Sequence, residues 1–290
     1  MDTRWLVVGL SLLAAVCLAG VGICTKLGLH HSDVRRSIVV TFTVNALALG
    51  AILLVVRPPL QLPPSLLGLF VLDGVLGLVA VTLLFLGVDR VGPAISYPIK
   101  NASPVAGLAI AALALGERPA PLVYVGALLA VAGVMILSLQ PGQAKWHPQA
   151  AVLYPIAGAL FFALDNIVRR AALREGASPL LGISVAIGVS SALALGASLL
   201  VPAWRAQGVI DPGTPYFALS GLLQTIALLA VYTALGMGMV SVVLPLYTSS
   251  PLFVLPLAAV FLRGRERITP RIVGGAVAVV LGVVLVSLNS

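Results

Sequence analysis

The chain is a succession of ten apolar runs of about twenty residues, the length at which an α-helix crosses the ~30 Å hydrocarbon core of a bilayer. The runs are Trp5–Cys24, Ser37–Val56, Leu66–Gly87, Pro93–Leu115, Pro121–Leu139, Gln149–Ile167, Pro179–Val201, Pro215–Gly236, Val240–Leu262 and Ile272–Leu288. A backbone crossing hydrocarbon must satisfy its own hydrogen bonds, so runs of this length are helices. They fill the chain and leave no room for a soluble domain. Only 9% of the residues are charged, too few to cover a water-facing surface, so the natural solvent is the bilayer. The first run lacks a small-x-small cleavage pattern and reads as a span, not a removable signal.

The basic excess, 17 Lys plus Arg against 9 Asp plus Glu, sits in the short gaps between runs, where such residues set topology. No basic face remains for nucleic acid. Ten Lys or Arg fall on the face opposite the N-terminus, among them Lys26, Arg36 and Arg90, and six on the N-terminal face, among them Arg118, Arg169 and Arg170. By the positive-inside rule this split leans toward both termini outside. Cys17 and Cys24 lie ~10 Å apart along one helix, too far for a disulfide, and read as small packing residues. Neither they nor the histidines, all in gaps, make a metal site, and the sequence holds no enzyme motif, so no catalytic residue and no cofactor is expected.

The two halves repeat. Pro98 and Pro104 match Pro245 and Pro251 at an offset of 147 residues, and Glu117-Arg118 matches Glu266-Arg267 at 149. Pro121, Gly126, Gly133 and Ser138-Leu139 then match Pro270, Gly275, Gly282 and Ser287-Leu288. Five helices is an odd number, so the second copy enters the membrane from the opposite side. The expected fold is an all-α integral membrane protein of ten transmembrane helices in two inverted repeats, residues 1–140 and 141–290. Secondary transporters use such halves to expose a midplane site to each side in turn.

The Gly-Glu-Arg-Pro that closes the fourth run (Gly116 to Pro119), the Gly-rich fifth run, and their recurrence as Arg265-Glu266-Arg267 and the Gly-rich tenth resemble the drug/metabolite transporter superfamily, in its EamA-type ten-helix members. The resemblance covers essentially the whole chain. It implies a multi-pass protein of a bacterial cytoplasmic membrane, termini inside, moving a small organic metabolite such as an amino acid. Lys100 through Pro104 also looks like the Lys-x-x-x-Pro of triose-phosphate carriers, whose basic residues on both halves clamp a phosphate. The equivalent stretch, Leu246 to Pro251, has no Lys or Arg, so half of that clamp is missing. A phosphorylated-metabolite antiporter and a non-transporting receptor or assembly factor remain as alternatives.

Charges inside spans are expensive and point to a cavity or a partner. Lys100 is expected to hold an anionic group of a solute, with snorkelling to the headgroups as the other reading. Asp73 is either a proton-coupling carboxylate or a structural hydrogen-bonding one. Asp165 is expected to pair with Arg169 one turn on, and Lys26 holds the repeat-equivalent place of the basic pair Arg169-Arg170, both near a cavity mouth. Tyr97, Asn101, Tyr247, Thr248, Ser249, Asn45, Gln224 and Tyr232 are the neutral candidates for solute contact. Pro98, Pro104, Pro245 and Pro251 mark helices four and nine as paired interrupted helices and hence as the expected walls of the site. Gly274, Ala278 and Gly282, with Gly126 and Ala130, form small-residue faces for helix packing within a monomer or at a homodimer seam.

Overall fold

A computed structural model describes residues 3–59, 62–91, 96, 99–116, 118–138, 149–200, 211–253, 257 and 270–289. Among them are ten α-helices and no strand: α1 (Thr3–Leu29), α2 (Val34–Val56), α3 (Pro64–Val91), α4 (Ser103–Ala114), α5 (Pro121–Ser138), α6 (Leu153–Arg174), α7 (Pro179–Leu200), α8 (Thr214–Met237), α9 (Val240–Tyr247) and α10 (Pro270–Asn289). A 3₁₀ turn, Gln149–Val152, leads into α6. Pro64, Pro121, Pro179 and Pro270 each occupy the first helical position, where a missing N–H leaves nothing unsatisfied. Gly116 and Gly176, at φ +64° and +83°, end α4 and α6 in the left-handed region that glycine enters without strain.

Among the described residues five helices are long and apolar enough to cross a membrane alone, and shorter apolar helices accompany them. The side chains of Leu54, Val55, Leu113 and Leu200 stand outward, as they do where lipid is the solvent. Helix α6 departs from the expected end at Ile167: it runs seven residues further, to Arg174. Arg169 is therefore inside the helix and buried, not a loop cation, because Ile167, Ala172 and Leu173 keep the apolar period going past it. Arg36, also counted among the gap residues, is buried in the first turn of α2 and paired with Asp211. The Ser32 hydroxyl, with Arg36 and Thr214, holds the Asp211 carboxyl down at about 2.

The fourth and ninth runs are broken, and at repeat-equivalent places. The fourth is helical at 99–101, turns at Ala102 and resumes as α4 at Ser103; the ninth leaves α9 after Tyr247, turns at Thr248-Ser249 and resumes at Ser250. Pro104 and Pro251 lack the N–H that would bond to the carbonyls of Lys100 and Tyr247, and each ring clashes with that carbonyl. The chain tightens instead. Ala102 N–H donates to Ile99 C=O at 3.1 Å, and Ser249 N–H to Leu246 C=O at 3.3 Å. Hydroxyls take up slack carbonyls in the second copy, Thr248 Oγ1 to Leu244 C=O and Ser249 Oγ to Leu246 C=O.

The two halves pack as one pseudo-two-fold object. Exchange each helix for the one five places away and the principal neighbours are preserved: α1 against α8 becomes α6 against α3, α2 against α8 becomes α7 against α3, and α4 against α6 becomes α9 against α1. The α5–α10 and α2–α7 contacts map onto themselves. At the α5–α10 seam the backbones touch through glycine. A Cβ on Gly126 would come 2.8 Å from Gly282 C=O, and one on Gly133 2.6 Å from Val279 N. The small-residue face is thus an internal seam built from Gly275, Val279, Gly282 and Val286. Gly274 is turned outward, which corrects the expected Gly274–Ala278 register by one residue at its start.

Candidate functional site

Helical periodicity places Phe162, Asp165, Asn166 and Arg169 on one face of α6, at i, i+3, i+4 and i+7. That face meets α3 and α8. Arg169 binds Asp73 of α3 with two nitrogens, Nη2 to Oδ1 at 2.9 Å and Nε to Oδ2 at 3.3 Å. The same Nη2 donates to Asp165 Oδ2 at 2.9 Å, and Nη1 donates to Asn166 Oδ1 at 3.2 Å. The guanidinium lies over the ring of Tyr232, 4.3 Å from its centroid, while the Tyr232 hydroxyl donates to Asp73 Oδ2. Planar, always charged and five-donored, arginine is the cation suited to such a fork.

The cluster is deeply desolvated, with Asp73 1% exposed, Asp165 5% and Arg169 6%. Two carboxylates share one guanidinium, and they share it unequally. Asp73 receives a hydrogen bond at Oδ1 and two at Oδ2. Asp165 receives one at Oδ2, and its Oδ1, buried, has no hydrogen-bond partner. That oxygen faces Gly77 of α3, where a Cβ would lie 3.5 Å away in ordinary contact.

Beside the cluster is a partly open cavity of about 80 Å³. Its walls come from α2, α3, α6, α7 and α8, with Asp73, Asp165, Arg169 and Tyr232 at one end. Phe42, Phe162 and Leu228 supply apolar faces, and Ser190 and Gln224 polar ones.

Of the expected site residues, Asp73, Asp165, Gln224 and Tyr232 line this cavity. Tyr247 is not among the lining residues: its hydroxyl accepts from Asn166 Nδ2 at 3.2 Å. Nor is Lys100, whose ammonium lies 5.4 Å from the centroid of the lining residue Phe162. Lys100 and Tyr247 are repeat mates, 147 residues apart, so the two helix breaks converge on one turn of α6. Asn45 lies outside the lining, its Oδ1 accepting from Thr225 Oγ1 at 2.8 Å between α2 and α8. Asn101, Thr248 and Ser249 are buried at the breaks, as is Pro104, and Pro251 is half-buried there. Pro245 is buried within α9. Lys26 is exposed at the last turn of α1, away from the cluster. Tyr97 and Pro98 lie outside the described residues.

Asp73 finds its partners in Arg169 and Tyr232, which answers for its burial by hydrogen bonding. The expected Asp165–Arg169 pair is present. Sequence reasoning missed Arg169 as the centre of the cluster, and with it Phe162 and Asn166. The signal was there: the spacing of Phe162, Asp165, Asn166 and Arg169, read with the apolar residues beyond Ile167, draws one polar stripe on a helix that continues.

A family model, that of the EamA-like transporter family, matches residues 5–139 and again residues 149–288. No curated protein matches. One crystal structure of a protein without further description superposes with a TM-score of 0.78 at 18% identity, over 100% of this chain and 99% of its own, a likeness of fold alone.

Proposed function

The chain belongs to the EamA-like transporter family, and from that premise we propose that it carries a small organic solute across the bilayer by alternating access, binding it in the cavity among α2, α3, α6, α7 and α8. One observation carries this reading: the buried charge cluster and its cavity sit where helices of both inverted halves meet, α2 and α3 from the first, α6, α7 and α8 from the second. Rocking one half, residues 1–140, against the other, residues 141–290, opens such a cavity to one side and then the other. The broken fourth and ninth runs, expected as the walls of the site, contribute no described lining residue to this cavity; they lie against α6 instead, Lys100 at Phe162 and Tyr247 at Asn166. In this reading Lys100 reaches past Phe162 to an anionic group of the solute, and the membrane is the bacterial cytoplasmic membrane.

A phosphorylated solute is the weaker reading, because the repeat mate of Lys100 is Tyr247, whose hydroxyl is already bonded to Asn166. Counterflow in proteoliposomes tests the proposal, using amino acids, organic acids and sugar phosphates with and without a proton gradient. Saturable exchange of one class is the expected result, abolished for anionic solutes by Lys100→Ala. Folded protein that exchanges no solute would move the chain to a non-transporting membrane role.

A further inference from the structure

Charge counting singles out one atom. Asp73 and Asp165 bring two carboxylates and Arg169 one guanidinium, so the cluster is short of one positive charge. Asp73 is fully engaged, whereas Oδ1 of Asp165, a residue of the cavity wall, is buried without a hydrogen-bond partner among the described residues. A buried carboxylate oxygen left unpaired is costly, and the deficit is met by a cation from the cavity or by a proton. No described residue meets it. Among the described residues of the elements around Asp165 the titratable or charged groups are Asp73 of α3, Arg169 of α6, Tyr232 of α8, Tyr247 of α9 and Lys100 ahead of α4, while α7 contributes Ala186, Ile187 and Ser190 to the wall and no charge. Lys100 makes no ion pair with Asp165 and stands on the ring of Phe162. The ring of Phe42 in the same wall suits a cationic head, since a ring's quadrupole attracts it, while Tyr232 and Phe162 already carry Arg169 and Lys100 on one face each.

We propose that Asp165 is the recognition carboxylate for a protonated amine, so that the solute class is organic ammonium compounds, and that the arriving ammonium displaces a proton from Asp165 to water. This deepens the transport reading and rests on it. The exchange balances: one positive charge enters the cavity and one leaves. An amine that also carries a carboxylate would use Lys100 as well; an amine without one would not need it.

The probes are benzylamine, benzoate and phenylglycine, which share a ring and differ in charge. In weakly buffered detergent solution near pH 6.5, full-length protein is expected to bind benzylamine with release of about one proton per molecule bound, and to ignore benzoate. Asp165→Asn should bind no benzylamine and release no proton. Gly77→Ala keeps every charge and sets a methyl against the free oxygen at ordinary contact distance, so the protein folds. Its benzylamine affinity should fall about tenfold to a hundredfold, the range for losing a hydrogen bond to a charged group. Lys100→Ala should weaken phenylglycine alone. Unchanged benzylamine binding in both Asp165→Asn and Gly77→Ala, or binding of benzoate in place of benzylamine, overturns the assignment. Counterflow separates the two readings. Benzylamine binding with proton release but no exchange keeps the amine site and sinks transport; exchange of benzoate alone keeps transport and sinks the amine site.

Discussion

The α3–α6 seam and the α1–α8 seam are the same packing related by the pseudo-two-fold, and they differ in chemistry. Offsets of 147 residues between α3 and α8 and 144 between α1 and α6 make Ser220 the mate of Asp73, Thr25 the mate of Arg169 and Val21 the mate of Asp165. Where one seam holds a buried carboxylate–guanidinium–carboxylate cluster, the other holds a hydrogen bond between the hydroxyls of Thr25 and Ser220, 3.1 Å apart. Beside these seams much of the backbone fit is kept: Phe70 and Phe217 are mates and both fully buried, and Gly74 and Gly221 are mates that each lie against a carbonyl of the other half, Ala186 of α7 and Thr41 of α2. Symmetric packing therefore makes the fold, and the proposed site lies at an asymmetric polar seam. A hydroxyl pair costs little to separate. An ion pair desolvated as deeply as this one holds its seam shut until something else meets its charge.

Breaking the charged seam gives the largest expected effect. Arg169→Ala leaves Asp73 and Asp165 buried without their cation and should cost about 3–5 kcal/mol of stability, read by thermal or denaturant unfolding in detergent. The sharper experiment copies the other seam into this one. With Asp73→Ser, Asp165→Val and Arg169→Thr together, no buried charge remains at this seam, and stability should return to the parent's level or above, because well-packed neutral replacements of buried ion clusters are often neutral or stabilising by ~1–4 kcal/mol. Solute exchange should be lost in the triple variant. Exchange at the parent's rate would show that the asymmetry is decoration and not the site.

The comparison also explains what could be read from the sequence and what could not. The ten spans are legible because twenty apolar residues in a row have few other fates, and the halves are legible because Pro98, Pro104, Pro245 and Pro251 recur at one offset. The broken helices follow from the same prolines by local sterics, as Pro104 and Pro251 bear out. Which helices stand side by side is another matter. Lipid is as apolar as leucine, so helix faces in a bilayer are not sorted by hydrophobic pattern but by small residues and by distant polar partners. Asp73 and Arg169 are 96 positions apart, and nothing local to either names the other. Arg169 was harder still to place, because a span was expected to end where charges begin. Helix α6 is instead the least apolar of the long helices, as befits the one that carries the site.

Glycine mates should behave alike where the polar mates do not. A Cβ on Gly74 would run into Ala186 C=O, and one on Gly221 would lie 2.9 Å from Thr41 C=O. Both obstacles are backbone, which yields less readily than a side chain. Gly74→Ala and Gly221→Ala should each destabilise by about 1–3 kcal/mol, the range for overpacking, with Gly74 the more sensitive because its approach is closer. An effect confined to Gly74 would mean that the α3–α7 contact is built more tightly than its mate, α2–α8, and that the symmetry of the packing is only approximate.

The smallest effect belongs to the neutral seam. Thr25→Ala and Ser220→Ala each remove one partner of a part-buried hydroxyl pair. Interhelical hydrogen bonds inside membranes average about 0.6 kcal/mol in double-mutant cycles, since the separated helices find other partners. Each single variant should therefore shift the unfolding midpoint slightly, and the double variant should cost little more than either alone. Solute exchange should persist, at a rate changed less than by any substitution at Asp73 or Arg169. If Ser220→Ala stopped exchange as completely as Asp73→Ala while sparing stability, both seams would have to open in the cycle through these side chains. The neutral pair would then be the second gate of a symmetric machine, and the charge cluster a local elaboration of it.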